Sequence, residues 1–499
     1  MSRSTMSLRD QAIRGVFWSA IQNWGSALLG TAVFIVLSRM LGAEAIGLLA
    51  LANIVIVFMD IFLRQGFGQA LVQRSDLEPD HLNTAFWINV LLGVVLMLMM
   101  IAGAGWVAAL FDEPRLAPVI RWLSPGLLLG ALNNTPQAIL QRNMAFKSLA
   151  IRSLVGVTCG GAVGIGMALM GYGIWSLVGQ HLTAAAIGTV VLWTASGFRP
   201  SFRISLRHFR DLFSFGIHII GSELLTFMSQ RSDGLLIAYF LGTEALGFYN
   251  IAQRLLRVMT QVLTQTISSV ALVTFSRLQH ATDRMRQAYY TATQMTSAIA
   301  FPAFMGMAVL APELVRGLFG DSWDESIPVM RVLAAMGILQ SVGYFNGAVL
   351  LACGKPNWRL ALISLNALIN VIAFVVVVRW GILAVAVAFV IRAYLLFPLS
   401  FLTVRKLIAL RTKTYAQNLV SPLVCSLAMV VVLVALKYMV ADRLHVHTAL
   451  GLYILLGIAA YTLALHRFAP ELAGQLRGLV AAAVSGKGER TSKPDRLNG

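Results

Sequence analysis

A seven-residue pattern occurs twice in this chain, about 200 residues apart, and it constrains the architecture more than any other feature. Leu41-Gly42-Ala43-Glu44-Ala45-Ile46-Gly47 reappears as Leu241-Gly242-Thr243-Glu244-Ala245-Leu246-Gly247, each copy joining two long apolar segments. The correspondence continues from Ala52 to Ala252, and from Ala70-Leu71-Val72 to Ala271-Leu272-Val273. An internal duplication with one topology in both halves is a hallmark of membrane transporters.

The segments around the repeats are long enough to cross a bilayer, about 20 apolar residues each. Fourteen spans are expected, at 16–37, 46–63, 84–110, 119–140, 154–170, 174–195, 213–240, 248–276, 288–310, 327–351, 360–378, 382–404, 420–436 and 450–465. The fold class is therefore an all-α, polytopic transmembrane bundle. Six helices separate the two copies, and an even number preserves orientation, so the repeat is parallel about an axis normal to the membrane. This predicts an N-lobe at 1–196 (helices one to six), a basic linker at 197–211, a C-lobe at 212–410 (helices seven to twelve), helices thirteen and fourteen at 411–466, and a tail at 467–499. From Ser485 onward the tail is polar and basic, a composition that favours disorder.

With 58% hydrophobic and only 12% charged residues, and a mean hydropathy of +0.76, a soluble class is excluded. The net charge of +18 suggests nucleic acid only if the basic residues share one face, and they are spread over short loops. Alternate loops hold about 27 Lys and Arg on the side of the N-terminus against about 7 on the other. The asymmetry places both termini in the cytoplasm. Arg199, Arg203, Arg207 and Arg210 alternate with apolar residues in the linker, which suits either a positive-inside loop or a segment lying on an anionic leaflet. Cys159, Cys353 and Cys425 are scattered and imply no disulfide framework. The first span is too long for a signal-peptide core and is expected to remain as a membrane helix.

Ionisable groups at membrane depth are costly and so mark function. Here they are Asp60, Glu223, Arg231, Asp233, Arg254, Arg257, Arg331 and Arg392. Arg231 and Asp233 in helix seven fall at the same depth as Arg254 and Arg257 in helix eight, given a rise of about 1.5 Å per residue. They form one polar cluster, either a set of Arg–Asp pairs joining helices or a wet cavity. Arginines outnumber acids, and guanidinium grips phosphate with two parallel hydrogen bonds, so a phosphate-bearing substrate is the direct inference. Arg392 extends the basic lining, and Arg331 is close enough to the outer interface to snorkel. Asp60 is spaced to pair with Arg64, and Glu223, near His218, is a packing residue or a coupling site; these two, with Asp233 and Arg392, are the cavity or coupling candidates. Gln22, Asn23, Trp24 and Gln261 suit sugar hydroxyls and faces, while they and Asn133, Asn134, Gln137 and Gln265 equally suit bridges between helices. Gly160, Gly161, Gly164 and Gly166 allow close helix approach. Phosphate-binding loops, metal-ligand spacings and catalytic domains are absent from the sequence, so no enzymatic activity and no cofactor is expected, and the coupling ion, proton or sodium, is left unassigned.

The stretch from Ser232-Asp233-Gly234 through Gly247-Phe248-Tyr249-Asn250 to Gln253-Arg254-Leu255 resembles the polysaccharide-exporter branch of the multidrug, oligosaccharidyl-lipid and polysaccharide exporter (MOP) superfamily, specifically a Wzx-type flippase. Phe275-Ser276-Arg277-Leu278, Leu310-Ala311-Pro312-Glu313-Leu314-Val315, Gly320-Asp321-Ser322-Trp323 and Leu351-Ala352-Cys353-Gly354-Lys355-Pro356 add to the resemblance, which runs from about Gly15 to Lys413. It departs at Gly234, where the family often carries a basic residue. The resemblance implies a bacterial inner-membrane protein that moves undecaprenyl-pyrophosphate-linked oligosaccharide repeat units to the periplasmic leaflet by alternating access, for exopolysaccharide, capsule or O-antigen synthesis. The pyrophosphate would meet Arg231 and Arg254 with Arg257 in support. By analogy with lipid II flippases, helices thirteen and fourteen would flank the lipid tail; a polymerase and export machinery are implied partners. A multidrug cation exporter of the same superfamily and a non-transporting scaffold of a polysaccharide-assembly complex are the rival readings.

Overall fold

The computed structural model describes residues 14–485 except 16, 64–70, 72–77, 203–205, 280 and 441–443, and gives the backbone alone at 206–219, 264–273, 440 and 479–485. Among the described residues there is no strand. Ten helices are long and apolar enough to cross a membrane, or eleven if Thr282–Val309 and Ala311–Phe319, bent by 74° at their junction, form one span.

The helices are α1 (Ser26–Leu63), α2 (Pro79–Leu110), α3 (Leu116–Leu123), α4 (Pro125–Arg142), α5 (Phe146–Leu169), α6 (Trp175–Ser196), α7 (Leu206–Arg277) and α8 (Thr282–Val309). They continue as α9 (Ala311–Phe319), α10 (Ser326–Gly343), α11 (Asn346–Ala352), α12 (Pro356–Val377), α13 (Ile382–Ile408), α14 (Thr412–Val440), α15 (Val446–Phe468) and α16 (Pro470–Ser485). The fourteen expected spans fall largely on helix, the tenth being divided at 344–345 between α10 and α11 and residue 16 of the first lying outside the described residues. The first two share α1, and the seventh and eighth share α7.

Each copy of the repeat is a turn between two helices, and the structure narrows the break to a single residue. Gly42 has φ 79° and ψ 176°, and Gly242 has φ 86° and ψ 177°. This corner of backbone space is open essentially to glycine alone. One residue thus turns an outgoing helix into a returning one, in the same way in both copies. The fourth span is corrected as well: it is divided at Ser124–Pro125 into α3 and α4, because the proline at the first position of α4 lacks the N–H that a continuous helix would need. Helix α2 starts at a capping box, in which the Glu78 N–H donates to His81 Nδ1 at 3.3 Å and the Glu78 carboxylate accepts the His81 N–H.

Two compact units are distinguished. The first comprises Met1–Val258, Leu318–Leu333 and Pro356–Leu396. Within it, Ile54, Phe58 and Ile61 of α1 pack on Phe227 and Leu235 of α7. The expected close approach in the N-terminal half is observed between α5 and α6: a Cβ on Gly160 would lie 2.6 Å from the Gln180 carbonyl oxygen, and one on Gly164 would lie 3.2 Å from that of Ser176. Gly161 faces Val33 of α1, whereas Gly166 faces open space. The start of the linker is pinned to α2, with Phe202 stacked on Trp87 at 4.3 Å and the Ser201 N–H donating to Asn83 Oδ1 at 2.9 Å. Arg203 and the linker side chains after it lie outside the described residues.

The second unit comprises Met259–Gly317, Ala334–Lys355 and Phe397–Gly499. Its core gathers Phe275, Tyr289, Phe345, Phe401 and Tyr415. The Tyr289 hydroxyl donates to Asn346 Oδ1 at 2.6 Å, and Asn346 Nδ2 donates to Ser400 Oγ at 3.0 Å, so these polar groups in that core are satisfied in series. Lys437 of α14 pairs with Glu313 of α9 at 2.8 Å and donates to the Val309 carbonyl at 3.0 Å, which holds the bend between α8 and α9. Helix α16 lays Leu472 and Ala473 on a cluster with Met295, Ala298, Cys425 and Leu465.

Candidate functional site

The break at Gly242 folds α7 back on itself, so residues equally far before and after it come level with one another. Asp233 lies nine residues before the break, and Tyr249, Gln253, Arg254 and Arg257 lie seven to fifteen after it. At about 1.5 Å per residue these positions are roughly 10–22 Å from the turn, in the middle of a bilayer about 30 Å thick. Tyr249, Gln253 and Arg257 recur every four residues and share one helix face.

Asp233 is buried, at 5% exposure, and both oxygens of its carboxylate accept hydrogen bonds. It accepts the Gly234 N–H at 2.8 Å, the Tyr249 hydroxyl at 2.9 Å and the Gln253 amide. Gln253 in turn accepts from Arg257 Nη1 at 2.6 Å. The acid therefore meets arginine only through a glutamine. Of the two arrangements open to the sequence, direct Arg–Asp pairing or a cluster with unneutralised guanidinium, the Asp233 contacts match the second.

Arg254 points the other way. Its Nη2 donates to the Gly30 carbonyl of α1 at 3.2 Å, its guanidinium lies 3.9 Å above the Phe34 ring, and its buried Nε–H has no acceptor among the described residues. Arg392 on α13 is buried beside α12, donating to Asn366 Oδ1 at 2.9 Å and to the Asn366 carbonyl at 3.4 Å, and its Nε–H is likewise without an acceptor. Arg392 is within electrostatic reach of Asp233, and Arg231 within reach of Arg257. Arg231 makes no hydrogen bond or ion pair among the described residues. Arg257 and Arg392 thus act electrostatically on Asp233, while Arg231 and Arg254 bring further positive charge beside Arg257. Arg257 is exposed, as is His181 of α6, which feels the field of Arg254.

The other candidates divide. Gln22, Asn23 and Trp24 occupy a π-helical turn, Ile21–Gly25, ahead of α1. Gln22 Nε2 donates to Ser153 Oγ of α5 at 3.2 Å, while Asn23 and Trp24 are exposed. Asn133 donates to Thr189 at 3.0 Å, Asn134 to the Leu63 carbonyl at 3.5 Å, and Gln137 accepts from Arg152 at 3.0 Å, so these amides bridge helices. Asp60 is partly buried on α1, and its expected partner Arg64 lies outside the described residues. Glu223 and Arg331 are exposed, and Gln261 is half-buried in the second unit. The side chains of His218 and Gln265 lie outside the description. Sequence reasoning gave no role to Tyr249, Gln253 or Asn366; the four-residue spacing of Tyr249, Gln253 and Arg257 was the available signal.

Residues 36–328 match the family described as polysaccharide biosynthesis protein, a stretch that contains both glycine breaks and the whole Asp233 network. The chain belongs to that family. Among relatives of this polysaccharide biosynthesis family, it is 26% identical over 430 residues to the teichuronic acid biosynthesis protein TuaB of Bacillus subtilis, covering 85% of this chain and 88% of that one. It is 29% identical over 333 residues to the succinoglycan biosynthesis transport protein ExoT of Rhizobium meliloti (66% and 67% covered). It is 26% identical over 362 residues to the lipopolysaccharide biosynthesis protein WzxC of Escherichia coli (70% and 72%). Its fold is similar to the lipid II flippase MurJ in an inward closed conformation, with a TM-score of 0.74 at 14% identity, covering 92% of this chain and 99% of that structure. It is also similar to an inward-facing multidrug resistance MATE transporter, at 0.62 and 16%, covering 77% and 94%. At these identities the likeness shows the fold alone, a multi-pass helical fold shared with MurJ and the MATE structure.

Proposed function

We propose that this polysaccharide biosynthesis family member is a flippase of the bacterial inner membrane. It translocates undecaprenyl-pyrophosphate-linked oligosaccharide repeat units from the cytoplasmic to the periplasmic leaflet by alternating access, with both termini cytoplasmic. The observation that carries the reading is the excess of guanidinium in the cluster of Arg231, Arg254 and Arg257 beside Asp233. Arg254 and Arg392 each leave a buried N–H without an acceptor among the described residues, a costly state in a low-dielectric site that a pyrophosphate relieves. Arg231 and Arg257 add charge that the single, already engaged carboxylate leaves in place. The exposed Asn23 and Trp24 supply an amide and an aromatic face for a saccharide. The polyprenyl tail stays in hydrocarbon, so the protein needs to shelter only the polar head. The names of TuaB, ExoT and WzxC, all proteins of surface-polysaccharide synthesis, agree with this reading. A drug-cation exporter calls for the opposite charge balance.

The test is to delete the gene and quantify undecaprenyl-pyrophosphate saccharides in inner-membrane lipids by mass spectrometry, together with surface polysaccharide. Accumulation of one complete repeat unit with loss of polymer, rescued by the wild-type gene and not by Arg231→Gln/Arg254→Gln, is the expected result. Unchanged lipid-linked saccharides would remove the flippase reading. Polymer that survives these substitutions but is lost on altering the 197–211 linker or the tail would favour the scaffold reading.

A further inference from the structure

The second unit holds a polar cavity of about 370 Å3 that shares no residue with the arginine cluster. Three segments far apart in sequence build it: the first turns of α8 with Arg286, Tyr290 and Gln294, the junction of α13 and α14 with Arg411 and Asn418, and Gln475 on α16. The junction is fixed in place. The buried Tyr290 hydroxyl accepts the Arg411 N–H at 2.8 Å and donates to the Arg411 carbonyl at 3.3 Å. Ala409, with φ 51°, turns its carbonyl toward Arg286 Nη1 at 3.4 Å, a strained backbone for a residue with a Cβ. Arg286 is held from behind by Asp283 at 2.6 Å, whose own side chain is 86% exposed. The Arg411 guanidinium is exposed and makes no ion pair among the described residues. Met295 and Ala298, one turn deeper on α8, belong to the cluster that seats α16.

Two guanidiniums with amides from Gln294, Asn418 and Gln475 form a concave, donor-rich site, which suits an oxyanion that carries hydroxyl groups. A cavity of this volume exceeds the needs of a bare phosphate and accommodates a small substituent on it. It lies among the basic loops, which an anionic leaflet surface attracts. We propose that this cavity binds the phosphate of a glycerol-phosphate group, supplied by an anionic phospholipid head or by the free compound, independently of the transport site.

The test uses the full-length protein, wild type and Arg411→Gln, because the Arg411 side chain holds no other part of the protein. In detergent, glycerol phosphate is titrated against thermal unfolding. In parallel, nanodiscs of phosphatidylcholine with and without phosphatidylglycerol are analysed by native mass spectrometry for retained lipid. The wild type is expected to bind in one arm, and that arm names the source: a saturable rise in Tm with glycerol phosphate for the free compound, selective retention of phosphatidylglycerol for the lipid. Arg411→Gln is expected to weaken that binding about tenfold or more, while Arg231→Gln leaves it unchanged. Binding in neither arm overturns the proposal. So does wild-type affinity in Arg411→Gln and in Arg286→Gln/Arg411→Gln alike.

Discussion

Gly47 and Gly247, equivalent residues of the two sequence repeats, each pack on the backbone of the other's turn. A Cβ on Gly47 would lie 2.6 Å from the Thr243 carbonyl carbon and 2.9 Å from the Gly247 nitrogen, and one on Gly247 would lie 2.8 Å from the Ala43 carbonyl carbon. The contact is reciprocal, as between two copies related by a two-fold axis. The neighbours are backbone atoms, which have no rotamer with which to yield. Gly47→Ala is therefore expected to push the turns apart and to destabilise the closed arrangement by about 1–3 kcal/mol, with Gly247→Ala equivalent. Disulfide trapping between cysteines at positions 43 and 243 measures it: the yield should fall in either glycine variant, and unchanged yield means that the crossing has slack.

The same crossing is tied by charge. Arg115, between α2 and α3, binds Glu44 of the first turn and Glu113 at 2.9 Å, and Glu113 accepts from the Thr243 hydroxyl of the second turn at 3.3 Å. Hydrogen bonds from Arg115 to Glu113 and Glu44, with their negative charges, hold its guanidinium above the usual arginine range. The raised arginine pKa keeps Arg115's share of the stabilisation up to alkaline pH, whereas the lowered carboxyl of Glu44 means that its share is lost as pH falls through the carboxylate range. The trapping yield should accordingly stay constant from neutral to alkaline pH and fall modestly with salt, because exposed pairs are worth about 0.2–1 kcal/mol and are screened. A marked alkaline loss would assign the contact to another group.

Asp233 acts as an acceptor for all three of its partners, which makes its chemistry testable by exchange. In Asp233→Asn the new amide N–H2 faces a donor, Tyr249 or Gln253, and about 1–3 kcal/mol of stability should be lost. Gln253→Glu in that background supplies an acceptor for the new amide and a carboxylate for Arg257. The double variant is expected to recover part of the lost Tm while failing in transport, since Arg257 is then neutralised. Additive losses in Tm would show that residues 233 and 253 do not share a proton-sharing contact.

The all-helical class and the duplicated glycine turns were legible in the sequence because each depends on a run or a spacing, although two pairs of the fourteen expected spans lie on single merged helices and ten or eleven helices pass as spans among the described residues. The form of the turns was not legible. Leu41 to Gly47 reads as a turn between two apolar segments, and only a backbone value of φ near +80° at Gly42 shows that one residue suffices. Composition likewise counted Asp233 against Arg254 and Arg257 as charges, whereas the partners that decide its role, Tyr249 and Gln253, are uncharged and separated from it by the break at Gly242. Gln22 and Trp24 looked alike as sugar ligands. Their difference, one spent on Ser153 and the other exposed, depends on which side of a π-helical turn each occupies.

That turn separates structure from function most cleanly. A π-helical insertion re-aims the side chains that follow it and recurs at functional sites. Gln22 donates to Ser153 and so joins α1 to α5, whereas Trp24 keeps 41% of its surface exposed and holds nothing in place. Trp24→Ala should therefore change the stability by no more than about 0.5 kcal/mol, leaving Tm close to wild type, as expected for a surface change. If Trp24 supplies the flat face on which a sugar ring rests, the same variant should slow delivery of repeat units and raise the pool of lipid-linked oligosaccharide, with Trp24→Phe restoring most of the rate. Gln22→Ala should do the reverse, lowering Tm through the lost bridge with a smaller effect on the pool. Measuring both quantities in both variants distinguishes the roles, and a Trp24→Ala strain with a wild-type pool would exclude the sugar contact.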